Sequence, residues 1–167
     1  MVTTTLDQRY SDPGATAVEW SRATDRLRTA GLSFITTVRP DGRPHATPLI
    51  TVWHAGGLYF CTGPQERKAQ NLAQNPRCAL ITGTDALREG LDIVVEGRAV
   101  RVTDESRLAD LARAWEAKYG PDWHFDVADG AFHHGGGSAW VFEIVPDSAF
   151  SFGKEPYSQT RYRFGNR

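Results

Sequence analysis

Residues 32–53 read LSFITTVRPDGRPHATPLITVW, and the punctuation of this stretch decides the fold. Leu32–Val38 is β-branched and aromatic, the composition of a half-buried pleated strand. Pro40-Asp-Gly-Arg43 is a hairpin turn, with Gly42 at the position that needs a positive φ. His45–Trp53 then reads as the returning strand. Pro48 lies inside that strand and has no N–H to donate. Its position must therefore be a sheet edge, a bulge or a surface turned toward a ligand.

Further strands follow the hairpin. Ala55-Gly-Gly57 turns the chain into Leu58–Thr62 (LYFCT), and Gly63-Pro64 opens a short helix through about Gln74, with proline at its first position. Asn75-Pro76 closes it, and Arg77–Thr84 and Leu91–Val102 are two more strands, with a bulge expected at Gly97. Thr103-Asp104 caps a helix whose apolar stripe is Leu108, Leu111, Ala112, Trp115 and Tyr119. Gly120–Ser138 reads as irregular, Ala139–Val145 and Ser148–Phe152 as strands broken by Pro146, and Ser158–Phe164 as an alternating tail.

Upstream, Thr16-Ala-Val-Glu19 has the spacing of a capping box. Trp20, Ala23, Leu27 and Ala30 continue at helical intervals to a stop at Gly31. Residues 1–15 read as a loose N-terminal arm, and residues 16–167 as one domain. The sum is six or seven strands with three helices placed between groups of strands. Antiparallel hairpins dominate, which favours a β-barrel with helical insertions over a parallel α/β sheet.

Sixteen glycines and nine prolines among 167 residues suit a turn-rich chain, and 40% apolar with 23% charged residues suit one globular domain. The net charge of -1 removes the electrostatic drive of a nucleic-acid binder. No run approaches the roughly 18 apolar residues of a membrane span and no signal-peptide core is present, so a cytoplasmic protein is expected. Cys61 and Cys78 lie in apolar runs and lack CxxC spacing, which makes them small hydrophobes.

Chemistry concentrates at Thr62-Gly-Pro-Gln-Glu-Arg67-Lys68-Ala-Gln-Asn71. Arg67 and Lys68 stand near the positive end of a helix, where each opposes the dipole by roughly 0.3–1 kcal/mol when exposed. A bound phosphate reverses that sign: Arg67 offers two parallel N–H groups, Lys68 a point charge and Thr62 a hydroxyl. The other reading is an exposed helix whose cations pair with Glu66 or solvent. No GxGxxG or GxxxxGK[ST] turn exists for nucleotides, and no GxSxG for a serine nucleophile. His124, Asp126, His133 and His134 lack metal-ligand spacing and read as solvated loop residues, so no metal site is expected. Trp20 and Trp115 fall on helical stripes and belong to the core.

The order of Asp41-Gly-Arg-Pro-His-Ala-Thr-Pro-Leu49, Leu58-Tyr-Phe-Cys-Thr62, Glu66-Arg67-Lys68, Asn71-Leu72 and Asn75-Pro-Arg77 resembles the pyridoxamine-phosphate-oxidase-like split-barrel superfamily. The resemblance runs from about Gly31 to Phe164. The ending Ser158-Gln-Thr-Arg-Tyr-Arg-Phe164 further resembles its flavin/deazaflavin oxidoreductase class B subgroup. What the resemblance implies is a six-stranded antiparallel split β-barrel, a homodimer, and a flavin-type cofactor in each groove between subunits. The phosphate-binding Arg-Lys pair maps to Arg67 and Lys68, with Asn71 one turn later and Thr62 on the preceding strand as further cofactor-binding residues. The strand along the tricyclic ring maps to Thr47, Pro48, Leu49 and Ile50. A C-terminal segment completing the pocket, often the partner's, maps to Thr160 and Arg161.

True pyridoxamine-phosphate oxidases end in a longer portion with Arg and His groups that grip the substrate phosphate. Here the chain stops at Asn166-Arg167 without such a pair, which sets the expectation against vitamin B6 oxidation. The expected function is hydride transfer from coenzyme F420 to a small conjugated acceptor. FMN in the same site, or a non-catalytic flavin or haem carrier, are the alternatives. The resemblance assigns no catalytic side chain, because such a cofactor carries the reactive chemistry itself.

Overall fold

In the hairpin that opens the sheet, Ser33–Val38 (β2) pairs with Pro44–Leu49 (β3) from Ser33↔Leu49 to Val38↔Pro44. Its turn closes with Arg39 N–H to the Arg43 carbonyl at 2.9 Å, and Gly42 takes a φ of +84°. A computed structural model describes residues 1–165; Asn166 and Arg167, where the ending was read, lie outside the described residues.

The remaining strands are Val2–Leu6 (β1), Thr51–His54 (β4), Gly57–Thr62 (β5), Arg77–Thr82 (β6), Leu91–Val102 (β7), Asp126–Ala128 (β8), Ala131–His134 (β9), Gly137–Lys154 (β10) and Tyr157–Phe164 (β11). The helices are Trp20–Thr29 (α1), Arg67–Gln74 (α2) and Glu105–Tyr119 (α3). The strands run antiparallel in the order β1-β11-β10-β7-β6-β2-β3, and the β4-β5 and β8-β9 hairpins join the first half of β10. Strand β10 holds the split barrel together. Its first half pairs with β5, its second half with β11, and β7 runs beside both.

Two apolar clusters fill the fold. Inside the barrel lie Leu27, Ile35, Phe60, Leu80, Ile93, Ile144 and Tyr162; beneath α3 lie Val52, Leu108, Leu111, Trp115, Phe132 and Val141. The α3 stripe is thus the seal of the second cluster, and its Asp104 cap accepts from Arg107 N–H at 2.8 Å. Trp115 is fully buried, while Trp20 is half-buried against Tyr162 and Phe164.

The mainly β, antiparallel split barrel matches the sequence reading, with corrections in detail. The strand count rises to eleven among the described residues. Residues 1–15 are not loose, because Val2–Leu6 pairs with Phe164–Thr160 and Gln8–Tyr10 forms a 3-10 turn. The Thr16–Glu19 capping box does not form. Val18 instead donates its N–H to Thr160 Oγ1 at 3.0 Å while its carbonyl accepts from the Tyr162 hydroxyl at 2.8 Å, and α1 starts only at Trp20.

The His45–Trp53 strand breaks at Ile50, since Leu49 packs into the first cluster and Ile50 into the second. The bulge lies on β10 between Pro146 and Ser148, opposite Gly97 rather than at it. Stretch 120–138 is ordered into a 3-10 turn and the β8-β9 hairpin, whose Asp129 and Gly130 both take positive φ.

Candidate functional site

Helix α2 begins three residues later than its Gly63-Pro64 signal suggests, because Glu66 folds back. Its N–H reaches the Gly63 carbonyl at 3.0 Å, and its Oε1 accepts the Gly63 N–H at 2.9 Å. Arg67 and Lys68 therefore occupy the first two helical positions, closer to the positive end than the sequence implied. Helix α2 packs on β2 and presents Lys68, Asn71 and Leu72 inward.

Lys68 is nearly buried, and its ammonium is held by the Glu66 carboxylate. Arg67 lies exposed one position earlier. The two cations thus divide into a buried point charge and an exposed guanidinium. Burial alone raises the Glu66 pKa, but the Lys68 ammonium and the Gly63 N–H outweigh it and hold the carboxyl below its ordinary range. The Thr62 hydroxyl, at the end of β5, approaches Glu66 and adds slightly to that lowering, yet falls outside hydrogen-bond geometry.

Period-2 alternation turns His45, Thr47 and Leu49 of β3 to the same face as Thr37 of β2, and the register places His45 beside Thr37. Asn71 Nδ2 donates to Thr37 Oγ1 at 3.0 Å. Burial pushes the His45 pKa below its ordinary value, and the charges of Arg39, Lys68 and Arg67 push it further, so the ring is neutral at pH 7. His45 escaped the sequence reading, although its spacing from Thr47 was the available signal.

Four buried polar atoms on three elements share one property. His45 Nδ1, Thr47 Oγ1, Thr62 Oγ1 and Asn71 Oδ1 have no hydrogen-bond partner. Orphaned buried groups cost roughly 1–3 kcal/mol each and are rare unless a ligand or water satisfies them. His45 and Thr62 lie close to the α2 start, since His45 feels the charges of Lys68 and Arg67 and Thr62 approaches Glu66, and Thr47 shares the His45 face of β3. The two hydroxyls can donate to an anion, whereas Asn71 Oδ1 can only accept, so the set suits a polar molecule that carries donors as well as an anionic group. Strand β3 is at the end of the sheet path, so Pro48 sits on an edge where its missing N–H breaks no ladder.

Thr160 and Arg161 are not brought to this cluster within the protomer. Thr160 is fully buried and occupied by the Val18 N–H, and the Arg161 guanidinium lies 5.6 Å from the centre of the Phe150 ring. Among the described residues, no group of three or more His, Cys, Asp and Glu is placed to hold a metal ion. None of their helices is long and apolar enough to cross a membrane. Burial raises the thiol pKa of Cys61 and of Cys78 to about 12, which leaves both as inert packing groups.

The chain thus folds as an antiparallel split barrel in which the cationic start of α2 packs on β2, next to the edge strand β3. The sequence profile of the pyridoxamine 5'-phosphate oxidase family matches residues 21–150, and the chain belongs to that family. A pyridoxine/pyridoxamine 5'-phosphate oxidase of Gloeothece citriformis is 38% identical over 88 residues, 52% of this chain and 40% of that protein. The match thus spans about two-fifths of the relative's length. In fold, a conserved hypothetical protein of Mycobacterium tuberculosis superposes with TM-score 0.69 at 18% identity, covering 87% of this chain and 91% of the other. A pyridoxamine 5'-phosphate oxidase-related, FMN binding protein of Nostoc punctiforme superposes with TM-score 0.62 at 15% identity, covering 91% and 94%.

Proposed function

We propose that the protein is a homodimeric oxidoreductase that holds a flavin-type cofactor, coenzyme F420, along β3 and passes a hydride to a small conjugated acceptor. The observation that carries this reading is the set of orphaned polar atoms around the buried Lys68. Lys68, Arg67 and Thr62 hold the phosphate, Asn71 binds beside it by accepting from a cofactor hydroxyl through its Oδ1, and Thr47, Pro48, Leu49 and Ile50 line the ring. A flavin or deazaflavin bound there supplies the hydride chemistry. The residues of the chain bind, orient and exclude water, and no side chain is required to react.

The outer face of the sheet supports the dimer. Pro48, Phe34, Ile81, Val94, Phe150 and Arg161 are successive cross-strand partners from β3 to β11. Phe34 is 47% and Ile81 40% exposed, so this row presents apolar surface to solvent. Six strands make a stripe about 24 Å long at roughly 4.8 Å per strand. A twofold axis set between Ile81 and Val94 would lay Arg161 of the partner subunit over Pro48, at both ends at once. That arrangement brings the C-terminal strand to the ring, as it must if Arg161 is to complete the pocket.

FMN in the same site is the second reading, favoured by the description of the Nostoc punctiforme fold neighbour as FMN binding. The test is a titration of the purified protein with each cofactor, followed by absorption and fluorescence. Arg67→Ala with Lys68→Ala should weaken binding tenfold or more, as expected when charge-assisted bonds of roughly 1.5–3 kcal/mol are lost. Affinity unchanged within twofold places the anchor elsewhere. Oxidation of the bound reduced cofactor by added quinones or enones marks an enzyme, and tight binding without turnover marks a carrier.

A further inference from the structure

Glu66 is an odd neighbour for a phosphate clamp. Its carboxylate occupies two donors that a phosphate oxygen needs, the Lys68 ammonium and the Gly63 N–H. It stays ionised at neutral pH, held down by those same two donors against the opposing effect of burial. His45, on the facing strand, is neutral. Arg67, Lys68 and Glu66 therefore leave one net positive charge at the start of α2, with Arg39 acting from the β2-β3 turn.

We propose that Glu66 is a specificity determinant, setting the clamp to accept a phosphodiester with a single negative charge and to reject a doubly charged phosphate monoester. This rests on the cofactor reading above. A phosphate monoester has a second pKa near ~6 and carries close to two charges at pH 7.5. A diester carries one. Repulsion from a fixed carboxylate scales with the charge it faces, so the monoester meets about twice the penalty. A diester also has only two free oxygens, and it tolerates the loss of two donors better than a monoester with three. Coenzyme F420 carries its phosphate as a diester and FMN as a monoester, so Glu66 separates the two by charge rather than by ring shape.

Dissociation constants of F420, FMN and riboflavin, measured at pH 7.5 on the full chain and on its Glu66→Gln and Glu66→Ser variants, test this. Glu66→Gln keeps an acceptor for Gly63 N–H and removes only the charge. It should tighten FMN roughly tenfold and F420 about threefold, because relief doubles in free energy with the charge relieved. Riboflavin, which has no phosphate, should stay within twofold. Equal gains for FMN and F420, or no gain for FMN, overturn the proposal while leaving the site intact. Failure of every form to bind either F420 or FMN overturns the cofactor reading itself. Glu66→Ser guards against a local defect of the glutamine variant, since both must shift FMN in the same direction.

Discussion

Asn71 donates to the Thr37 hydroxyl across 3.0 Å, while its own Oδ1 is left without a partner on a side chain only 1% exposed. The amide nitrogen therefore serves the fold, and the amide oxygen is free to accept from a ligand donor such as a hydroxyl. Asn71→Ala separates the two roles. The lost Thr37 bond should cost about 1 kcal/mol of stability, seen as a small fall in melting temperature. Cofactor affinity should drop roughly tenfold, the scale of one buried hydrogen bond to a ligand. A variant that loses stability but binds FMN and F420 unchanged makes Asn71 purely structural.

Gly97 owes its identity to the opposite strand. A Cβ there would overlap the Val145 carbonyl and come within 2.9 Å of the Pro146 Cα, both of which are backbone and cannot swing away. The bulge after Pro146 brings β10 this close. Gly97→Ala should destabilise the protein by roughly 1–3 kcal/mol, as overpacking does elsewhere. Chemical denaturation measures this directly, and a loss under about 0.5 kcal/mol means that the bulge relaxes freely.

The hairpin at 32–49 and the 91–102 strand were legible because local periodicity and turn residues agree with the final pairing. What stayed hidden depends on partners far along the chain. Val2 pairs with Phe164, and no local signal in a β-branched run such as Val2-Thr-Thr-Thr names its partner. The Thr16–Glu19 spacing was a true local preference overridden by Thr160 and Tyr162. Asp129-Gly130 was a different failure, since an Asp-Gly turn is a strong hairpin signal and was present to be read.

In the site, the adjacent Arg67 and Lys68 were conspicuous, but which of them is buried depends on where α2 starts. That start is fixed by the Glu66 return to Gly63. The two-residue spacing of His45 from Thr47 shows only that they share a strand face, so the role of His45 emerges once that face is seen to be the one that carries Thr37, the partner of Asn71.

Phe34 stands near one end of the outward apolar row, 47% exposed between Pro48 and Ile81. Phe34→Glu should leave the protomer folded, because the ring contributes little to the interior. It should weaken self-association at least ~30-fold, the effect of losing about 2 kcal/mol at an interface anchor. Sedimentation at several concentrations reads this, and cofactor affinity should fall in parallel if the partner subunit's Arg161 completes the pocket. A mass identical to the parent protein across that range excludes the stripe as the contact.

Lys118 carries a cost that pH can expose. Its ammonium is half-buried and donates to the Thr51 carbonyl at 2.7 Å. Burial, aided by the charge of Arg26, lowers its pKa from 10.5 to about 8. Between those two values the unfolded chain holds a proton that the folded chain has released, so this group makes stability rise with pH from about 8 to about 10.5. Below pH 8 the folded state bears the full penalty of the buried charge.

Lys118→Met removes that charge, and the Thr51 carbonyl still accepts from the Tyr119 hydroxyl at 2.9 Å. The variant should therefore melt higher than the parent at pH 7, and the gap should narrow steadily by pH 10. Thermal unfolding of both proteins across this range isolates the lysine, since every other titrating group is common to the two. A gap that stays constant with pH shows that Lys118 keeps an ordinary pKa and that water reaches its ammonium.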